Sequence, residues 1–187
     1  MTRHEKEASD STLLRRRAKA SAATQEKRTM KYFTIGELTR SNKAARLHID
    51  NTPDAEAEAN LRALVAAVLD PAREQYGKPI HVSSGYRSPK LNRSLPNASK
   101  TSQHLKGEAA DIFVDAGSKG NFELGQLIAR LGNFDQIIFE EVGTNDLLPT
   151  WIHVSWKRRG DNRREIRKHV KGTGPVYPMV SRKEIGL

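Results

Sequence analysis

Cysteine is absent from the sequence. That excludes a disulfide framework and any thiolate metal site, so a bound metal has to be held by the nitrogen and oxygen of His, Asp and Glu. Long apolar runs are missing too. None approaches the roughly 20 residues that a membrane-spanning helix needs, and the start of the chain lacks the apolar stretch of a secretory signal. No transmembrane segment is expected. Acidic residues are outnumbered, 22 against 32 Lys and Arg, but unevenly along the chain. Residues 1–30 hold 8 basic against 4 acidic residues and residues 157–187 hold 10 against 3, while the stretch between them is nearly neutral. Basic ends suit anionic polymers in general, but a neutral middle without a recognisable motif argues against specific nucleic-acid binding.

A chain of 187 residues is enough for one domain with a self-sufficient core. Residues 1–30 are polar and poor in buriable side chains, and are read as a basic, unstructured extension with a short helix at 11–23 at most. A domain is expected over residues 31–156, and residues 157–187 are expected to form a basic C-terminal segment. Within the domain, a short helix falls near 41–47. Thr52 as N-cap and Pro53 at the first helical position open a longer helix to about residue 75, with Leu61, Leu64, Val65, Val68 and Leu69 at helical spacing. Strands are expected at 80–84, 108–114, 136–141 and 151–156, a second helix at 119–131, and a long loop over 85–103. Helix, strands, helix, strands is an α+β pattern.

His104 ends that loop, Asp111 lies on the strand after it, and His153 lies on a later strand. Two imidazoles and one carboxylate make a three-ligand zinc site with a fourth position left for water, whose pKa falls toward about 7 on binding. Residue types alone leave the choice open, because the chain has six histidines and a half-buried histidine is the commoner finding.

Three ordered blocks narrow it: Ser83-Ser-Gly-Tyr-Arg87-Ser, Ser102-x-His104-x-x-Gly107-x-Ala109-x-Asp111, and Trp151-x-His153-Val. Together they resemble the zinc D-alanyl-D-alanine carboxypeptidase family, which includes bacterial dipeptidases and carboxypeptidases and phage endolysins. The resemblance spans about Phe33 to Trp156 and leaves out both ends. It implies a small antiparallel sheet with flanking helices, the Hedgehog/D-Ala-D-Ala carboxypeptidase-like fold. It also implies Zn2+ on His104, Asp111 and His153, with Arg87 assisting the substrate.

Arg87 could pair with a substrate carboxylate or steady an oxyanion, or it could organise its own loop. Ser102 and Gln103 could bond substrate or orient His104, and Trp151, on the face of His153, could wall the cleft. Tyr86 either lines that cleft or braces the loop, and Trp156 falls on the opposite face. His4, His48, His81 and His169 belong to no motif and are assigned no role.

The general base departs from the family pattern. Many members carry Asp or Glu three residues before the last histidine, where this chain has Thr150, which takes no proton at neutral pH. Glu140 is the candidate, because its strand from Asp135 resembles one in a phage and prophage branch of the family. Glu141 points the other way by strand parity, and Asp146 is the third choice.

The resemblance thus implies a zinc metallopeptidase that cleaves peptidoglycan stem peptides, as a D,D-carboxypeptidase or as an endopeptidase of endolysin type. A monomer is the default expectation for a small hydrolase, and a start without a secretory signal implies synthesis in the cytoplasm (of a host cell, if phage-encoded) with action on the cell wall. The alternative is a non-catalytic, zinc-containing cell-wall binding module, which Thr150 keeps open.

Overall fold

The computed structural model describes residues 30–96 and 98–187; the helix expected at 11–23 lies outside them. Five strands form one sheet in the order β1-β2-β4-β3-β5: β1 (His81–Ser84), β2 (Ala109–Phe113), β3 (Gln136–Val142), β4 (Trp151–Ser155) and β5 (Glu165–Val170). Neighbours from β1 through β3 are antiparallel, and β5 lies parallel to β3. The architecture is α+β as expected, with a mixed sheet.

Two short helices, α1 (Ile35–Thr39) and α2 (Asn42–Arg46), lead in, each with a hydroxyl N-cap, Thr34 and Ser41. The long helix begins later than expected. Asp54, not Thr52, caps α3 (Ala55–Leu64) by accepting the Ala57 N–H at 2.8 Å, while the Thr52 N–H is held by Asp50. A carboxylate at a helix N-terminus answers both the free N–H groups and the macrodipole, which a hydroxyl does less well. A π turn (Val65–Leu69) joins α3 to α4 (Asp70–Tyr76). Pro71 has no N–H to offer the Ala67 carbonyl, and just before it the helix widens, Asp70 N–H reaching back to Val65 O.

The region 85–103 is not wholly a loop. Ser88 caps α5 (Pro89–Ser94), which has Pro89 at its first position; the Ser-Pro start is a helix signal hidden in a turn-rich composition. Helix α6 (Gly117–Leu131) is set by buried Asn121, whose amide oxygen takes the Val114 N–H and whose NH2 donates to the carbonyls of Pro149 and Thr150. One side chain thereby ties the end of β2 to the entry of β4.

Strand parity sorts the sheet into two faces. Ala110, Ile112, Ile137, Phe139, Ile152, Val154 and Ile166 turn inward and join Leu61, Leu64, Val68, Leu69, Leu124 and Ile128 in one core. Ile138, Glu140, Trp151, His153 and Asp111 fall on the other face, by their register.

Residues beyond 156 enter the same sheet and core. β5 is a strand that the sequence reading did not include, and Ile166, Val180 and Ile185 are buried. Its anchor is Asp135, whose side chain is fully buried and accepts the Arg163 backbone N–H at 2.8 Å and the Arg163 guanidinium at 2.5 Å, with Lys157 Nζ at 3.3 Å. Burial alone would raise the Asp135 pKa, but these donors hold it below its ordinary value of 3.8. Asp135→Ala is expected to cost on the order of 2–3 kcal/mol at neutral pH, because Arg163 and its N–H are left without an acceptor. A depressed carboxylate contributes stability above its unfolded pKa and loses it as pH falls through the folded value. The gap between wild type and variant in urea melts should therefore close below about pH 4.

Gly107 ends a 3-10 turn (Gln103–Lys106) at φ 70°, and a Cβ there would lie 2.3 Å from the Ala57 carbonyl oxygen. Both strain and overlap oppose any side chain. Gly107→Ala is expected to destabilise by about 2–4 kcal/mol, read as a lower denaturant midpoint at unchanged slope.

Candidate metal centre

The 3-10 turn presents His104 to the sheet, and β2 and β4 present Asp111 and His153 directly opposite each other in register. One donor atom from each lies within 4.8 Å of the other two. Asp111 Oδ1 is 2.9 Å from His153 Nδ1 and 3.2 Å from His104 Nε2. The two imidazole nitrogens are themselves 3.2 Å apart.

His104 is almost fully buried, and its Nδ1 is 2.6 Å from the Gly85 carbonyl oxygen. A carbonyl only accepts, so Nδ1 carries the hydrogen and Nε2 is left with its lone pair toward Asp111 and His153. Gly85 itself packs against α1 with no room for a side chain, since a Cβ would sit 2.2 Å from the Leu38 carbonyl oxygen. Burial pushes the His104 pKa down, against the pull of Asp111, which favours the neutral, ligating imidazole. Asp111 is buried as well, yet His104 and His153 hold its pKa well below the ordinary carboxylate range. Ionised Asp111 and the bare His104 nitrogen are acceptors converging with His153 on one point, an arrangement that calls for a shared positive centre. The donor set, two nitrogens and one oxygen, fits zinc.

Arg87 reaches Asp111 with Nη2 at 2.6 Å from Oδ2, and its Nε donates to Ser84 Oγ at 2.9 Å. Its backbone N–H donates to His104 O at 3.1 Å. The guanidinium thus occupies the Asp111 oxygen that faces away from the histidines. The loop carrying it is braced by Asn51, which donates to the carbonyls of Thr39 and Tyr86 and accepts the Ser88 N–H.

Glu140 lies on the same sheet face, opposite Trp151 in register and two residues beyond Ile138, the partner of His153. It is buried, which raises its pKa above 4.5; Asp111 adds to the rise, and His153 and His169 oppose it. Trp151 is half-buried beside it. Thr150 is exposed, and its N–H pairs with Glu140 O. Glu141 has φ 53° in a bulge. Asp146 accepts the Gly143 and Leu148 N–H groups, an exposed brace for the β3–β4 loop. Ser102 precedes the 3-10 turn, and the Gln103 amide bonds Glu108 and Arg163. Tyr86 is buried in the core cluster, so it braces the loop.

The sequence reading gave no role to His169, which places Nδ1 3.2 Å from Glu140 Oε2, or to Tyr177, whose ring lies 5.2 Å from that of His169. Only Ile166 and Val170 hinted at a strand in a run otherwise charged, and no motif pointed to the histidine.

No curated protein matches the chain. The model of the family described as Peptidase M15 matches residues 31–155, which include all three residues of the cluster. Members of this family are zinc-dependent peptidases, and the match covers well over half of the sequence. The chain belongs to the peptidase M15 family, the zinc D-Ala-D-Ala carboxypeptidases.

Proposed function

We propose that this protein hydrolyses peptide bonds in the stem peptides of bacterial peptidoglycan, as a D,D-carboxypeptidase or an endopeptidase of endolysin type. The observation that carries this reading is a buried carboxylate, Glu140, on the same sheet face as the His104, Asp111 and His153 cluster. Zinc held by those three residues would polarise the scissile carbonyl and make water a nucleophile at neutral pH. Arg87 holds Asp111 in place, and the Gly85 carbonyl fixes the tautomer of His104. Glu140 takes a proton from the attacking water. As the C–N bond breaks, it delivers that proton to the leaving amine, so the carboxylate is restored. Trp151 borders the space where a peptide would lie.

Release of D-alanine or soluble fragments from purified peptidoglycan by the zinc-loaded protein tests the proposal. D-alanine alone identifies the carboxypeptidase, and soluble fragments the endopeptidase. Stoichiometric zinc with no release from several wall types would reject hydrolysis and favour a binding module.

A further inference from the structure

The bulge in β3 has a specific consequence. Phe139 pairs with Lys168 and Val142 with Val170, so three steps on β3 match two on β5, and the extra residue lies at Glu140 and Glu141, opposite His169. Phe139 and Val142 both turn into the core, which ordinary alternation forbids at a spacing of three. Glu141 absorbs the mismatch with its positive φ, and Glu140 is left on the site face directly beside His169. Ionised Glu140 can only accept, so His169 donates through Nδ1 to Oε2.

His169 is itself held in place. Its ring lies against Tyr177, and the strap carrying Tyr177 runs back along β5. There Arg167 Nη1 donates to Tyr177 O at 2.7 Å, Lys168 N–H to Pro178 O at 3.1 Å, and Val180 N–H to Ile166 O at 2.8 Å. Charged and titratable groups therefore face Glu140 from three strands and the strap: Asp111, His153, His169 and Tyr177. Of these, His169 is the one in ion-pair contact with it.

From this geometry we propose that His169, on a strand beyond the region matched by the family, is a positioning residue that fixes the Glu140 carboxylate for proton transfer. The proposal rests on Glu140 being the base. A carboxylate anchored through Oε2 presents Oε1 in one orientation, whereas an unanchored one samples several.

The test uses the zinc-loaded full chain on peptidoglycan. His169→Ala is expected to lower kcat by about 10- to 100-fold at nearly unchanged KM and zinc content. His169→Asn, whose amide NH2 can stand where Nδ1 does, is expected to recover most of the loss. A readout independent of turnover is the histidine 15N spectrum. It should show His169 protonated at Nδ1 in the wild type and reverting to the ordinary Nε2–H form in Glu140→Ala.

A bare Nδ1 in the wild type overturns the proposal, as does a kcat for His169→Ala close to that of wild type while Glu140→Gln is inactive. Equal losses in the Ala and Asn variants, with matching falls in melting temperature, would reduce His169 to a structural role. An active Glu140→Gln or an inert wild type would instead remove the reading of the site on which the proposal depends.

Discussion

Glu140→Gln is expected to leave the fold and the metal site intact while lowering kcat by about 100- to 10,000-fold, the range that a lost general base produces. The amide keeps the shape and can still receive a hydrogen bond from His169, but it takes no proton. The same substitution is expected to stabilise the metal-free protein. Burial raises the Glu140 pKa above 4.5, so the charged form is disfavoured by folding. The wild type has its full share of stability below the unfolded pKa and loses it as pH rises through the folded value. In urea melts of metal-free protein, the Glu140→Gln variant should therefore match wild type near pH 4 and exceed it near pH 7. A variant that is inactive and more stable is the signature of a group kept for chemistry rather than for folding. Equal midpoints at both pH values would show that Glu140 is not under strain in the folded state.

His153→Ala is expected to abolish stoichiometric zinc binding and all activity. The variant leaves one imidazole and one carboxylate, too few to hold zinc in a three-ligand catalytic site. It also removes one of the two imidazoles that hold the Asp111 pKa down; His104 remains, and Arg87 still bonds the carboxylate. Isothermal titration of the metal-free proteins with zinc reads the first effect, and D-alanine release reads the second. Removal of zinc from the wild type with a chelator should reproduce the loss, and returning zinc should reverse it. That reversal is closed to the variant. Retained tight zinc binding in His153→Ala would mean that the ligand set lies elsewhere.

Much of the site was legible in the sequence because its parts are local. The block from Ser102 to Asp111 places two ligands, a glycine in a left-handed turn, and the start of a strand within ten residues. Parity along β4 put Trp151 and His153 on one face without any knowledge of tertiary contacts. The absence of cysteine had already reduced the ligand candidates to nitrogen and oxygen donors.

What the chain's local pattern could not convey was pairing between distant segments. Helix α5 hid in a turn-rich composition, and Asp54 rather than Thr52 is the cap because the helix begins two residues later, with the Thr52 N–H turned to Asp50. β5 reads as a charged tail, since its strand character comes from pairing with β3 and from the Asp135–Arg163 anchor rather than from apolar alternation. Arg87 reads in the sequence as a substrate residue ahead of a loop residue, and its contact with Asp111 belongs to neither reading. The sequence by itself determined the chemistry available: which atoms can ligate, which face of each strand they occupy, and that no thiolate is among them. Only the tertiary structure set Glu140 on the face of the cluster with His169 Nδ1 3.2 Å from its carboxylate, because a bulge and a parallel pairing between segments far apart in the chain are set by packing and are not written in any local run.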